Sequence, residues 1–418
     1  MNGNLLLKKW LEKETLFPHK ADDLLFQLLH DPRLGLDSIY IQQKSIELYQ
    51  KNKGKGGDKT SLRTMIATES EQPLTLFDTE VANPICRISR KLEHAIALWK
   101  NITLADQDNF LEEFWKDFYP EAGSIPSLKE SNNQAIKIQL IPDNLLLPLL
   151  DRYSLSVSHL NSFLQCPLKF YYQNLIRVPS AGNESMSFGS AVHEAMEKLF
   201  LQMKASGRKF PPVEFLIESF IASMMKKENE FSAENFLKKL AYGKQVLWAY
   251  YQQQRAQWNT IVIVEKTIRT KMDENISING IMDKLEFKGK DLTIVDYKTG
   301  NHAKALLQLH GPSAQNENGG DYWRQAIFYK ILIDQDPGND WNTTEVTFDF
   351  IEPVKGIFRQ ETVPIDPASV TTVKQQIQKV WHQINSKAFD TGCGKPDCHW
   401  CNFIQTNHRN ISSMASKK

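Results

Sequence analysis

The sequence contains no long apolar run. None of its 418 residues belongs to a stretch that approaches the ~18 uninterrupted apolar residues of a membrane-spanning helix. The first residues, Met1 to Asn4, also lack the charged and apolar pattern of a secretory signal. These absences predict a cytoplasmic protein with no membrane partner.

Cysteine is scarce, and neither sign of charge is in excess. The five cysteines are an odd number, which argues against a disulfide framework. Cys86 stands apart from the other four and is expected to be a buried structural thiol. The formal net charge of +1 creates no global field, so any binding to nucleic acid must depend on a local groove.

A phosphate-binding loop is missing as well. Residues Lys53 to Thr60 are rich in Gly and Lys, but Asp58 precedes Lys59 where the pattern requires Gly. We expect a flexible, basic loop there. The chain therefore cannot by itself be a nucleotide-driven motor.

Helical periodicity dominates residues 1–118, and we find no catalytic constellation in them. The clearest periodic runs are Ala21 to Leu29, Ile85 to Trp99 and Asn109 to Phe118. Residues 119–134 are rich in Pro, Gly, Ser and Asn, which is typical of a linker. We predict a mainly helical N-terminal region with its linker over residues 1–134, and a second domain over residues 135–418.

The run from Asn275 to Gly300 predicts a β-hairpin. Two largely apolar strands, rich in β-branched residues, flank the pair Gly289-Lys290, and Gly in the first central position suits a type II′ turn. Such a two-residue turn pairs Lys288 with Asp291 and so sets the antiparallel register of the whole hairpin.

Two aspartates face each other in that register. Asp283 lies opposite Asp296, with Cβ atoms ~5 Å apart, and like charges at this distance repel unless a cation such as a divalent metal neutralises them. Because side chains alternate along a strand, Lys298 shares the face of Asp296, whereas Tyr297 points to the other face. Two carboxylates and an ammonium suit metal-assisted hydrolysis of a phosphodiester. The alternative is a hairpin whose charges merely face water, against which the apolar neighbours argue.

These residues resemble known nuclease motifs. Gly280 to Asp283, followed by Asp296 to Gly300, resembles motifs II and III of the PD-(D/E)XK nucleases, most closely those of the RecB/AddB type. Upstream, Phe188 to Glu197 contains the pattern G-x-x-x-H-x-x-x-E, which resembles their first motif. Downstream, Gln325 and Tyr329 resemble their Q-x-x-x-Y motif.

The resemblance implies an α/β fold with a restriction-endonuclease-like core, in which a mixed central sheet is flanked by helices and preceded by the helical N-terminal region. It also implies a helical insert over about residues 196–258. That insert, rich in Lys and aromatic residues, either clamps DNA or packs on the sheet as ordinary solvated helices.

The resemblance further implies a bound Mg²⁺ or Mn²⁺ ion. Its expected ligands are the side chains of His193, Asp283 and Asp296 and the carbonyl of Tyr297. Lys298 would assist the attacking water.

Other residues have supporting roles in the resemblance. Gln325 would support Lys298 or the DNA, and Tyr329 would pack against the backbone or a base. Two secondary candidates are Glu265, which follows a short apolar run predicted to be a buried strand, and Glu197, the last residue of the first motif.

Four cysteines form a candidate metal site. They are Cys166 and, in C-x4-C-x2-C spacing, Cys393, Cys398 and Cys401. Such a set can enclose an iron-sulfur cluster or a zinc ion. Cys166 lies in a segment that resembles the S-x-L-x-x-F-x-x-C-P signature of AddB-type nucleases, and this resemblance implies a [4Fe-4S] cluster, although Asn407 stands where their last cysteine usually falls. Zinc, with His399 as an optional ligand, and no metal at all are the alternatives.

The expected function is a Mg²⁺- or Mn²⁺-dependent DNA nuclease, exonuclease-like, in recombination or repair. One alternative is a non-catalytic DNA-binding or scaffold subunit that retains the nuclease fold. Another is the nuclease tail of a helicase-nuclease, which acts only with a helicase partner.

Overall fold

The computed structural model describes residues 3–54, 59–71, 84–118, 137–180 and 183–406. The chain folds into two compact units. The first unit comprises residues 1–151, 165–181 and 386–418, and the second comprises residues 152–164 and 182–385.

The domain boundary predicted at residue 134 does not coincide with the division between these two units. The range 135–418 contributes to both units, because the chain leaves the first unit, returns to it near residue 165 and returns again after residue 385. The predicted linker at 119–134, the central part of the basic loop at 53–60 and Asn407 lie outside the described residues.

The first unit is helical in its described residues. Up to residue 151 it contains α1 (Gly3–Leu16), α2 (Asp22–Leu29), a 3₁₀ turn (Pro32–Leu34), α3 (Ser38–Asn52), α4 (Leu62–Glu71), α5 (Pro84–Trp99), α6 (Gln107–Lys116) and α7 (Asp143–Asp151). Helix α5 buries an apolar stripe whose residues are spaced three or four apart. They are Ile85, Ile88, Leu92, Ile96 and Trp99. The predicted helical N-terminal region is confirmed.

The segment around Cys166 forms an interrupted helix. It begins as α8 (Val157–Gln165), and the hydroxyl of Ser156 accepts a backbone N–H of its first turn at 3.3 Å, as a capping residue does. Cys166 is extended, with φ −166° and ψ 123°, because the residue before Pro167 avoids the helical region. The chain continues as α9 (Pro167–Lys169) and a π-helix (Phe170–Leu175).

A five-stranded sheet forms the centre of the second unit, in the order β1-β2-β3-β4-β5. The strands are β1 (Val262–Met272), β2 (Ile276–Lys288), β3 (Asp291–Lys298), β4 (Asn342–Val354) and β5 (Ile357–Pro364). Strands β3 and β4 pair in parallel, and the other neighbours pair antiparallel, so the sheet is mixed.

Helices cover both faces of this sheet. They are α10 (Glu184–Ala205), α11 (Val213–Met225), α12 (Ala233–Gln254), α13 (His302–Leu306), α14 (Asp321–Asp334) and α15 (Pro367–Asn385). Buried residues of α10, α11 and α12 form one apolar cluster with Val295 and Tyr297 on one face. On the other face, α14 packs so closely on β2 that a Cβ at Gly280 would lie 2.6 Å from Leu332 Cδ1. The predicted α/β core is confirmed, and the helices of the insert pack on the sheet.

The segment between β3 and α14 contains the short helix α13. Asn301 caps this helix by accepting the N–H of Lys304 at 3.1 Å. The rest of the segment is turns.

Candidate active site

The hairpin register predicted from the turn is confirmed. Five cross-strand pairs run from Lys288↔Asp291 to Lys284↔Val295. Gly289 has φ 68°, the positive value that a type II′ turn requires at its first central position. Asp283 and Asp296 therefore occupy the positions next to the last of these pairs.

A third acidic residue continues the row on β1. Val264 pairs with Lys284 and Lys266 pairs with Met282, so Glu265 lies at the level of Asp283. Glu265 has φ 50°, in the left-handed region that side-chain-bearing residues seldom adopt. Such local strain is concentrated at functional sites, where the surrounding structure holds it in place.

Helix α10 brings His193 to the same place. A Cβ at Gly189 would lie 2.8 Å from Thr299 Oγ1, so only glycine allows this close approach of α10 to the end of β3. One turn later, His193 Nδ1 lies 3.2 Å from Asp283 Oδ2. Burial lowers the pKa of His193, but the hydrogen bond and charge of Asp283 outweigh it, and the pKa is raised overall.

His193, Glu265 and Asp283 form a group that can hold a cation. One ligand atom from each lies within 4.8 Å of the other two. Burial, followed by the charges of Asp283 and Glu197, raises the pKa of Glu265 to about 7, so the group favours a positive charge. Asp283 Oδ2 also accepts the backbone N–H of Tyr297 at 2.8 Å.

Asp296 is held in a different network, which joins it to α14. Its Oδ1 accepts hydrogen bonds from Gln325 Nε2 at 2.8 Å and from Tyr329 Oη at 2.9 Å. Its Oδ2 forms an ion pair with Lys298 Nζ at 2.6 Å. Lys298 Nζ donates to Gln325 Oε1 at 2.9 Å, so both members of the ion pair are oriented by one glutamine.

Burial sets the electrostatics of this ion pair. Asp296 is 3% exposed, and its burial raises the pKa despite the nearby ammonium of Lys298. Burial lowers the pKa of Lys298, but the charge of Asp296 outweighs it, and the pKa is raised. Lys298 Nζ also lies 4.5 Å from the ring centroid of Tyr322, in a cation–π contact.

The structure thus brings the candidate residues together in two adjoining sets. Glu265 belongs to the ligand group, whereas Asp296 contacts Lys298, Gln325 and Tyr329. Tyr297 points to the opposite face, where its ring is buried, and its carbonyl stays a predicted ligand. Glu197 is outside the ligand group.

The position of Glu265 follows from the same rule of strand register, applied to the pairing of β1 with β2. The turn at residues 273–275 joins β1 to β2 and sets their register in the same way as the hairpin turn does. Arg324 was missed because nothing in its immediate sequence signals burial. It is 1% exposed, and it precedes Gln325 on α14.

A family comparison agrees with this geometry. The family model of the PD-(D/E)XK nuclease superfamily matches residues 154–406. The chain belongs to the PD-(D/E)XK nuclease superfamily. No curated protein matches it.

Two solved structures share weaker likeness with this PD-(D/E)XK protein. A proposed exonuclease from Eubacterium rectale is 12% identical, with a TM-score of 0.40, over 63% of this chain and 93% of that chain. The protein designated SSO0001 is 10% identical, with a TM-score of 0.23, over 57% of this chain and 85% of that chain. Likeness at these TM-scores bears on neither the fold nor the function.

A second group that could hold a metal ion lies in the first unit of this PD-(D/E)XK protein. Its members are Cys166, Cys393, Cys398 and Cys401, with Sγ atoms that all lie within 4.8 Å of one another. Cys401 Sγ is 3.8 Å from Cys393 Sγ and 3.9 Å from Cys166 Sγ. A Cβ at Gly392 would lie 2.4 Å from Cys401 Sγ, so a glycine is needed beside the group.

His399 lies outside this four-cysteine group. Its ring contacts that of Trp400, with centroids 4.9 Å apart.

Within the described residues, no helix is long and apolar enough to cross a membrane.

Proposed function

We propose that this protein is a divalent-cation-dependent nuclease that hydrolyses phosphodiester bonds of DNA, acting from a strand end in recombination or repair. The observation that carries the proposal is the ligand group His193, Glu265 and Asp283 beside the ion pair of Asp296 and Lys298. A purely structural cluster of half-buried acids next to the buried Asp296 would be costly, since each charge must be at least partly desolvated.

The donor set fits a hard divalent cation. Two carboxylates suit Mg²⁺ and Mn²⁺, and the imidazole favours Mn²⁺ of the two. Such a cation polarises the phosphate and lowers the pKa of a bound water. Asp296 stays a predicted further ligand, through the Oδ2 atom that it would share with Lys298 Nζ.

The side chains around the cation group have separable tasks. His193, Glu265 and Asp283 would bind the cation. The hydrogen bond between His193 Nδ1 and Asp283 orients the imidazole. Lys298 supplies a positive charge that steadies the developing negative charge on the phosphate or orients the attacking water. Gln325 and Tyr329 hold Asp296 and Lys298 in position without touching the cation group.

A cleavage assay tests the nuclease proposal. We expect end-labelled linear DNA, single- or double-stranded, to be shortened in Mn²⁺ or Mg²⁺, with no loss of a closed circular substrate. Cleavage of the circle would replace the exonuclease proposal by an endonuclease. Tight DNA binding without turnover in either metal would instead identify a non-catalytic subunit, and turnover only with an added helicase would identify a helicase-dependent tail.

Removal of one ligand should weaken the binding of the metal measurably. Glu265→Gln keeps the shape of the side chain but removes a charged ligand, so the Mn²⁺ concentration for half-maximal cleavage should rise about tenfold or more. Chelation with EDTA should abolish cleavage by the wild type, and added Mn²⁺ should restore it. Glu274→Gln, in the exposed turn between β1 and β2, is the matched control. An unchanged Mn²⁺ dependence of the Glu265 variant would remove Glu265 from the site.

We also propose that the four cysteines bind a single zinc ion. Thiolates around one tetrahedral zinc, at ~2.3 Å from the metal, lie about 3.8 Å from one another. The two separations at Cys401, 3.8 Å and 3.9 Å, support this arrangement. A [4Fe-4S] cluster, which holds each thiolate on a different iron atom, is the alternative occupant.

Metal analysis after anaerobic purification separates zinc from a cluster. We expect one zinc per chain, no iron, no acid-labile sulfide and a colourless protein. Cys401→Ser should lose the zinc and lower the midpoint of thermal unfolding, whereas Cys86→Ala, which alters a buried thiol of the same unit, should retain the zinc. A brown protein that contains iron and sulfide would identify the cluster instead.

A further inference from the structure

A groove opens beside the end of β3, next to the candidate active site. Its volume is about 640 Å³, within the range of ligand-binding clefts. Its walls include Phe188 of α10, Tyr242 of α12, the Thr299-Gly300 pair that follows Lys298, and Val354 at the end of β4. The groove therefore begins at the end of the motif from Asp296 to Gly300.

One wall of the groove combines aromatic rings with a lysine. The rings of Phe188 and Tyr242 have centroids 6.1 Å apart. Lys239 Nζ lies 4.9 Å from the centroid of Phe188 and 5.6 Å from that of Tyr242. Phe188 is buried, whereas Tyr242 is 36% exposed, so Tyr242 is the ring that a ligand can reach.

The position of the Tyr242 ring is set in advance. Its hydroxyl donates to Glu352 Oε2 at 2.8 Å. The next residue, Gly243, lies so close to α10 and α11 that a Cβ there would be 2.2 Å from Phe220 Cζ. A ring held in this way loses little conformational entropy when a flat ligand stacks on it.

The charge of the groove suits a polyanion. Lys239 and Lys355 line it and exceed the single carboxylate of Glu352, which is already hydrogen-bonded. His302 also lines it and is paired with Glu361 at 2.7 Å. Since the chain has a formal net charge of only +1, these local lysines must supply the attraction for a phosphate backbone.

The groove lies a short step from the cation group along α10. Phe188 precedes His193 by five residues, a rise of about 7.5 Å at ~1.5 Å per residue. This distance corresponds to about two stacked nucleotides at ~3.4 Å each. The groove is thus within reach of a strand whose phosphate lies at His193 and Asp283.

We propose that this groove binds unpaired DNA nucleotides next to the scissile phosphate, with one base stacked on Tyr242 and a phosphate paired with Lys239. The inference rests on the proposed nuclease function and specifies a single-stranded substrate. Aromatic stacking beside a cationic wall is how proteins hold single strands, whereas the bases of a duplex are already stacked and do not offer their faces.

Binding of a single-stranded oligonucleotide tests the groove independently of turnover. In a Lys298→Met background, fluorescence anisotropy should show that Tyr242→Ala and Lys239→Ala each weaken binding about tenfold. Tyr242→Phe keeps the ring and should bind within about twofold of its parent. The matched controls are Trp248→Ala and Lys244→Ala, exposed residues of α12 outside the groove, which should leave affinity unchanged. Blunt duplex DNA should be insensitive to all four alanine substitutions.

The outcomes for the groove and for the nuclease are separable. If the wild type cleaves DNA but Tyr242→Ala and Lys239→Ala bind single strands as their parent does, the groove proposal is overturned and the nuclease stands. If the wild type cleaves nothing but the two variants lose single-strand binding, the groove stands and the nuclease falls. Tighter binding of RNA than of DNA would overturn the assignment of DNA as the occupant.

Discussion

Lys298→Met is expected to lower the rate of DNA cleavage about a thousandfold or more. The substitution removes the ammonium that lies 2.6 Å from Asp296 Oδ2 and 2.9 Å from Gln325 Oε1. Methionine keeps a flexible apolar chain against the ring of Tyr322, so the loss is one of charge and not of packing. Since Gln325 and Tyr329 still donate to Asp296, the fold should survive.

Single-turnover cleavage in saturating Mn²⁺ measures this effect. Lys304→Ala, an exposed lysine of α13 six residues further along the chain, is the control and should cleave at the wild-type rate. Thermal unfolding of the variant should remain cooperative. A Lys298→Met protein that cleaves within about tenfold of the wild type would exclude the lysine from the chemistry, since a positioned catalytic group contributes more than this.

Arg324→Met is expected to lower the free energy of unfolding by about 3–5 kcal/mol. The guanidinium is 1% exposed and is surrounded by acceptors. These acceptors are Gln376 Oε1 at 2.8 Å, Asn161 Oδ1 at 2.5 Å, Asp321 Oδ1 at 3.1 Å and the carbonyls of Asn318 and Gly319 at 2.6 Å and 2.9 Å. Without the arginine, these acceptors lose their donor in a buried place, which is the costly case for a buried polar group.

Denaturant unfolding of the full chain measures the loss, with Arg359→Met on the exposed face of β5 as the control that should change stability by less than about 0.5 kcal/mol. Because Arg324 lies on the same helix as Gln325, its loss should also slow cleavage, through displaced support of Lys298. A change in the unfolding free energy below about 1 kcal/mol would show that the hydrogen bonds of Arg324 contribute little to the stability of the fold.

The site could be predicted to the extent that local rules determine it. The hairpin register follows from Gly289 and from the alternation of side chains, and this placed Asp283 beside Asp296 and put Tyr297 on the opposite face. The spacing of Gln325 and Tyr329 on one helix face is equally local, and both donate to Asp296. Glu265 was only a secondary candidate because its place beside Asp283 depends on a second strand pairing, that of β1 with β2, which the sequence analysis did not include.

The family motifs and the faces of the central hairpin follow from residues close together along the chain. The mixed α/β core was expected from the family resemblance, because its parallel pair of β3 and β4 joins distant segments. The tertiary structure was needed to bring Glu265 beside His193 and Asp283 and to bury Arg324. It also decided that the cysteines belong to the compact unit of the N-terminal helices. These outcomes depend on contacts between distant segments, and a glutamate, an arginine or a cysteine acquires such contacts only when the whole chain has packed.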